Sequence, residues 1–138
     1  MSSTMMPSGL SELVLIVADV PRSAAFYADI VGLIPERPGD EAWAWFWSGT
    51  PHASARIALS RGPLLFEDHS PRPEDARFGA VHYAFHIARD DLDAMLDRLR
   101  RHDIDIHGPT WFEWMNADSW YFYDPDGNLL EYWVPRPT

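Results

Sequence analysis

Ser119 to Val134 reads SWYFYDPDGNLLEYWV, two runs of aromatic and aliphatic residues flanking Asp124-Pro125-Asp126-Gly127. Pro125 fixes its own φ and Gly127 supplies the positive φ of a tight reversal, so the stretch predicts a β-hairpin. Alternation along the second run puts Leu129, Glu131 and Trp133 on one face, and Leu130, Tyr132 and Val134 on the other. A carboxylate between two large apolar neighbours is costly to bury unless something pairs with it. Glu131 therefore needs an arginine, a set of hydrogen bonds or a metal ion.

Outward from the hairpin, the chain falls into two similar halves. Glu12 to Ala18 (ELVLIVA) is a buried-strand run, and Asp19 caps a helix that has Pro21 in its first turn. Phe26, Tyr27 and Ile30 give that helix an apolar side, and Gly32 ends it. A short strand near Leu33–Arg37 leads through the turn at 38–40 to a run in which Trp43, Trp45 and Trp47 point the same way. Ala55–Ser60 (ARIALS) is a further strand, followed by Leu64–Phe66, and the polar, Pro-containing stretch 67–79 reads as a linker. The second half begins with the strand VHYAFHIA at 81–88, and Asp90 or Asp91 caps a helix whose Leu92, Met95, Leu96 and Leu99 form one buried stripe. A strand begins at Ile104–Ile106, a Trp-rich segment runs from Gly108 to Asp118, and the hairpin follows. Laying Glu12 on His82, 70 residues further on, superposes ELVLIVA on HYAFHIA and brings the helices nearly into step. The pattern predicts a single domain over 1–138 made of two βαβββ modules, about 10–66 and 80–135.

DPDGN followed by an apolar pair and Glu, together with VHYAFHI, resembles the vicinal oxygen chelate superfamily. That group includes glyoxalase I, the extradiol dioxygenases, fosfomycin-modifying enzymes and the bleomycin-binding proteins. The resemblance implies an α+β fold in which two βαβββ modules, in pseudo-two-fold arrangement, curve a mixed sheet around a cavity. It also implies metal ligands at the start of each module's first strand and near the end of its last, here Glu12, His82 and Glu131. Glu12 stands where most metal-dependent members carry histidine. One imidazole with two carboxylates favours Mn²⁺ or Fe²⁺, with Zn²⁺ the third candidate. At the fourth family position, matching through ARIALS gives Ala58, whereas matching GPLLFED to GNLLEYW gives Phe66 and leaves Glu67 on the wrong parity. Glyoxalase I chemistry needs a carboxylate there, so that activity is disfavoured. His86 lies on the same strand face as His82, and Tyr121 precedes Glu131 by the spacing of the extradiol dioxygenases; these two are the candidate proton-handling residues. Trp43, Trp45, Trp47 and Tyr123 are the candidate ligand-binding residues, with core packing as the plainer role for the tryptophans.

Composition narrows the function classes. A formal net charge of −10 argues against nucleic acid, whose phosphates need a basic face. All 11 basic residues are arginines, so Schiff-base and lysine general-base chemistry are excluded. With no cysteine there is no disulfide, thiol nucleophile or thiolate ligand. No apolar run reaches membrane-span length, and MSSTMMPSG lacks a signal-peptide pattern, so cytoplasm is the expected location. Trp-rich faces and sheet edges predict a homodimer. Two classes remain open. One is a metal-dependent lyase, isomerase or dioxygenase acting on a small oxygenated or aromatic molecule. The other is a metal-free protein of the bleomycin-resistance kind, sequestering a hydrophobic or cationic ligand.

Overall fold

The computed structural model describes residues 5–62 and 81–138, so Leu64–Phe66 and the linker expected at 67–79 lie outside the described residues. The elements are β1 (Glu12–Ile16), α1 (Val20–Ala25), β2 (Ile34–Pro35), β3 (Trp43–Trp47), β4 (Arg56–Ser60), β5 (His82–His86), α2 (Leu92–Arg101), β6 (His107–Phe112), β7 (Ala117–Tyr123) and β8 (Leu129–Pro135). They form two sheets of the same topology, ordered β1-β4-β3-β2 and β5-β8-β7-β6. In each, the first strand runs parallel to the last and the remaining pairs are antiparallel. The expected α+β fold of two similar modules is therefore what the chain adopts. Register also settles the fourth position. Val14 pairs with Ala58 as Ala84 pairs with Glu131, so ARIALS is the matching strand and Ala58 holds the place equivalent to Glu131.

Local signals set most boundaries. The Asp19 carboxylate accepts the Arg22 N–H at 3.1 Å, as an N-cap does. After Ala25 the helix widens into a π-turn over Phe26–Val31 instead of running on as a plain α-helix to Gly32. The cause is tertiary. From α2, Arg98 donates Nε–H to the Ile30 carbonyl at 3.0 Å and Nη2–H to that of Val31 at 2.8 Å. The Gly32 and Leu33 N–H groups both return to the Tyr27 carbonyl. β2 is shorter than expected because Pro35 and Pro38 have no N–H to extend a ladder, which confines them to an edge. β6 starts at His107 rather than Ile104 because Asp103, at φ 57, turns the Ile104 N–H back onto the Leu99 carbonyl to close α2. The Trp-rich segment is then strand as far as Phe112 and a 3₁₀ turn over Glu113–Met115.

One core spans both modules. Leu15, Phe26, Tyr27 and Leu59 of the first share a cluster with Leu96, Leu99, Phe122, Leu130 and Tyr132 of the second. On β3 it is Ala44 and Phe46 that face this core, while Trp43, Trp45 and Trp47 are half-buried on the opposite, open face. Core packing is therefore not their role. The rings of Trp43 and Trp45 stack there, 5.6 Å apart and 7° from parallel.

The closing hairpin also joins the modules. Gly127, at φ 84, donates its N–H to the Asp124 carbonyl. The Asp124 carboxylate accepts the Tyr27 hydroxyl at 2.7 Å as well as the N–H groups of Asp126 and Asn128. Asp126 accepts the Ala18 N–H and the Ser23 hydroxyl, both at 2.9 Å.

Gly32 is expected to be a sensitive glycine of this scaffold. It sits at φ 87, and a Cβ there would collide with the Arg98 guanidinium. Gly32→Ala is expected to cost about 2–4 kcal/mol in denaturant unfolding, because backbone strain adds to the lost Arg98 bonds. A change below about 0.5 kcal/mol would show that the clamp is loose.

Candidate metal and substrate site

β8 lies between β5 and β7, and this arrangement assembles the site. Ala84 and Tyr121 both pair with Glu131, and His82 pairs with Leu129. Side chains two residues apart on a strand share a face, so His82, Tyr121 and Glu131 all project from the open face of the second sheet. Glu131 is only 5% exposed. Its partners answer the need read from the sequence. Ser119 donates its hydroxyl to Oε2 at 2.5 Å, and Nε2 of His82 stands 3.1 Å from Oε1.

The other ring nitrogen of His82 fixes its proton. Nδ1 is 3.1 Å from the Leu129 carbonyl, which can only accept, so Nδ1 carries hydrogen. In a neutral imidazole, Nε2 then turns a lone pair toward a carboxylate oxygen. Two acceptors at that distance repel unless a positive centre lies between them, either a second ring proton or a metal ion. An imidazole nitrogen with its Nδ1–H held by a carbonyl, beside a carboxylate held by a hydroxyl, is the supported donor set that divalent metals take. His82 and Glu131 therefore fit such an ion.

Tyr121 shares this environment. Burial raises the pKa of its phenol, and the negative charge of Glu131 raises it further. The phenol is accordingly a donor at neutral pH. The cavity in front of these groups holds about 470 Å³, within the usual range for small-molecule sites. Phe112, Trp114, Met115 and Trp133 supply its walls.

The remaining sequence candidates lie elsewhere. Among the described residues of one chain, no three His, Cys, Asp or Glu side chains come together as a metal site. Glu12 is exposed on the open face of the first sheet, opposite Arg56. His86 rests against the Trp133 ring at 5.5 Å and lines cavities shared with Ser48 and Gly49, not the one at Glu131. Tyr123 is 53% exposed, edge-on to His107. None of Trp43, Trp45 and Trp47 lines the Glu131 cavity of its own chain. Ser119 escaped the sequence reading although its signal was present, since it alternates with Tyr121 on the same strand. Phe112, Trp114 and Met115 escaped because the Trp-rich segment offered no periodicity to assign a face.

Comparison with known proteins agrees with this fold. The family model of the Glyoxalase/Bleomycin resistance protein/Dioxygenase superfamily matches residues 9–132. Metallothiol transferase FosB of Lysinibacillus sphaericus (strain C3-41) is 28% identical over 123 residues, covering 89% of this chain and 79% of its own. Glutathione transferase FosA of Serratia marcescens is 28% identical over 134 residues, covering 91% and 80%. Among solved structures, a glyoxalase/dioxygenase from Nostoc punctiforme aligns with a TM-score of 0.71 at 28% identity, over 99% of both chains. With the repeated βαβββ topology and a match over nearly its whole length, the chain belongs to the Glyoxalase/Bleomycin resistance protein/Dioxygenase superfamily.

Proposed function

We propose that this protein is a metal-dependent enzyme, of lyase, isomerase or dioxygenase type, acting on a small molecule with two neighbouring oxygens. The observation that carries the reading is the approach of Nε2 of His82 to Oε1 of Glu131 at 3.1 Å, with the imidazole held by the Leu129 carbonyl and the carboxylate by the Ser119 hydroxyl. A divalent ion bound there, Mn²⁺, Fe²⁺ or Zn²⁺, would supply Lewis acidity toward the substrate oxygens. Glu12 of a second copy is the third ligand in this reading, since Glu12 lies on the open face of the other sheet. The same association would bring the Trp43, Trp45 and Trp47 face over the cavity.

The chain's own residues have separate tasks. Ser119 holds Glu131 in one orientation and leaves Oε1 free toward His82. Tyr121, kept protonated, offers its hydroxyl to a substrate oxygen that gains negative charge. The apolar walls limit water around that charge, which strengthens each of these interactions.

A second reading, a metal-free binding protein, draws on a different cavity. A space of about 890 Å³ between α1 and the stretch 35–41 has walls that include Ala24, Ala28 and Trp45, and a rim bearing Glu36, Asp40 and Glu41 against the cation of Arg37, which pairs with Glu36. Apolar walls with an acidic rim suit a cationic, hydrophobic ligand.

Metal analysis of protein purified without chelator separates the two readings. Stoichiometric metal that is lost in both His82→Ala and Glu131→Ala is the expected result; a folded, metal-free wild type would leave the binding reading. Sharing between copies has its own check. Glu12→Ala and His82→Ala are each expected to lose the metal as homodimers, while unfolding and refolding the two together restores one intact site per mixed dimer. No recovery in the mixture would rule out a site shared between copies, and full metal retention by Glu12→Ala would place Glu12 outside the site.

Tyr121 yields a pH expectation. Its folded pKa is raised, so its contribution to stability is whole below the ordinary phenol pKa of about 10 and is lost as pH rises from there through the raised value. Ultraviolet titration of wild type minus Tyr121→Phe should isolate this late-titrating phenol. In Glu131→Gln its pKa should fall part of the way back, since burial remains and the charge is gone. An unchanged titration would mean that the carboxylate does not act on Tyr121.

A further inference from the structure

The aromatic wall of the Glu131 cavity has a mount of its own. Phe112 ends β6, Trp114 and Met115 occupy the 3₁₀ turn over Glu113–Met115, and Asn116, at φ 49, reverses the chain into β7. Trp114 is 80% exposed, although its ring meets Phe112 with centroids 6.3 Å apart. An indole so open to water at the rim of an apolar cavity has surface that a bound molecule would cover.

The turn is pinned from the opposite face of the sheet. The Arg136 N–H donates to the Asn116 carbonyl at 2.8 Å, and Nδ2 of Asn116 donates to the Arg136 carbonyl at 3.3 Å. The Arg136 guanidinium forks onto Asp118, with Nε to Oδ2 at 2.8 Å and Nη2 to Oδ1 at 2.9 Å, and lies 3.8 Å over the Trp111 ring. Trp111 and Asp118 are cross-strand partners on either side of the turn, so one guanidinium grips both ends of it. Arg89 adds a third donor to Asp118 at 3.0 Å, and Asp118 is buried. Such a bidentate, stacked contact is geometrically demanding and is specific to arginine.

We infer that Phe112, Trp114 and Met115 form a specificity wall that takes a flat, uncharged, apolar group of the substrate beside the oxygens held at His82 and Glu131, and that Arg136 is the positioning residue holding this wall. The inference rests on the oxygen-binding reading proposed above. Among the described residues that line the cavity from this chain, the wall itself, Phe112, Trp114 and Met115, carries no charge.

Two neutral hydroxyketones test the wall, because 2-hydroxyacetophenone and hydroxyacetone present the same pair of oxygens and differ in phenyl against methyl. Calorimetric titration into the Mn²⁺-loaded protein is expected to show the phenyl ketone bound about tenfold tighter. In Trp114→Ala that preference should vanish, because affinity falls about tenfold more for the phenyl ketone than for hydroxyacetone. Arg136→Gln keeps the backbone bonds to Asn116 and should lose most of the preference, and Arg136→Lys should not restore it. A role in folding alone would lower the melting temperature without changing the ratio of the two affinities. Equal binding of both ketones by wild type, or equal loss of both in Trp114→Ala, would overturn the inference. Should wild type retain no Mn²⁺, acetophenone is titrated into the metal-free protein. Binding abolished by Trp114→Ala then keeps the wall while the metal reading falls, and no binding overturns the wall as well.

Discussion

Two carboxylates in one turn hold this molecule together. Asp124 gathers the Tyr27 hydroxyl and the local N–H groups, and Asp126 takes the Ala18 N–H and the Ser23 hydroxyl. The turn that reverses β7 into β8 therefore also docks onto the beginning of α1, about a hundred residues earlier in the chain. Charge-assisted bonds of this kind are stronger than neutral ones and have defined directions. They fix where β8 lies against the first module, and with it the height at which Glu131 faces the open cavity. Turn chemistry and site geometry are thus two results of the same short motif.

Burial of Glu131 becomes tolerable on the same terms. A carboxylate with 5% exposure needs its lone pairs occupied. Ser119 occupies one oxygen and His82 faces the other, each from a strand next to β8. The parallel β5–β8 pairing places the imidazole, and the antiparallel β7–β8 pairing places the hydroxyl. A sheet of another strand order would leave the charge bare.

Much of this was legible in the sequence where the signals are local. Asp19, Gly32 and the Asp-Pro-Asp-Gly turn behave as their own side chains and φ angles dictate, and alternation put His82, Tyr121 and Glu131 on strand faces that turn out to be shared. What escaped was set from a distance. The π-turn depends on Arg98, which is 67 residues from Val31. β6 starts late because Ile104 is taken up in closing α2, and the turn that bears Trp114 and Met115 is bonded to Arg136, 20 residues beyond Asn116. Alternation separated Trp43, Trp45 and Trp47 from their neighbours but could not say which set faced the core. The absence of Trp43, Trp45 and Trp47 from the Glu131 cavity follows from each sheet of the chain keeping its own open face.

The equivalence of Ala58 and Glu131 has a consequence for how the two halves can change. Both halves have the same strand order, yet only one bears a buried charge on its last strand. That half is constrained by desolvation: any new neighbour of Glu131 must leave its oxygens occupied, so its open face tolerates little polar variation. The other half bears a methyl group at that place, between Val14 and Trp45, and no unmet electrostatic demand restricts the side chains around it. It is free to vary in shape and aromatic content without disturbing ionisation in its twin. A duplicated fold divided in this way concentrates the cost of burying charge in one repeat and leaves the packing of the other less constrained.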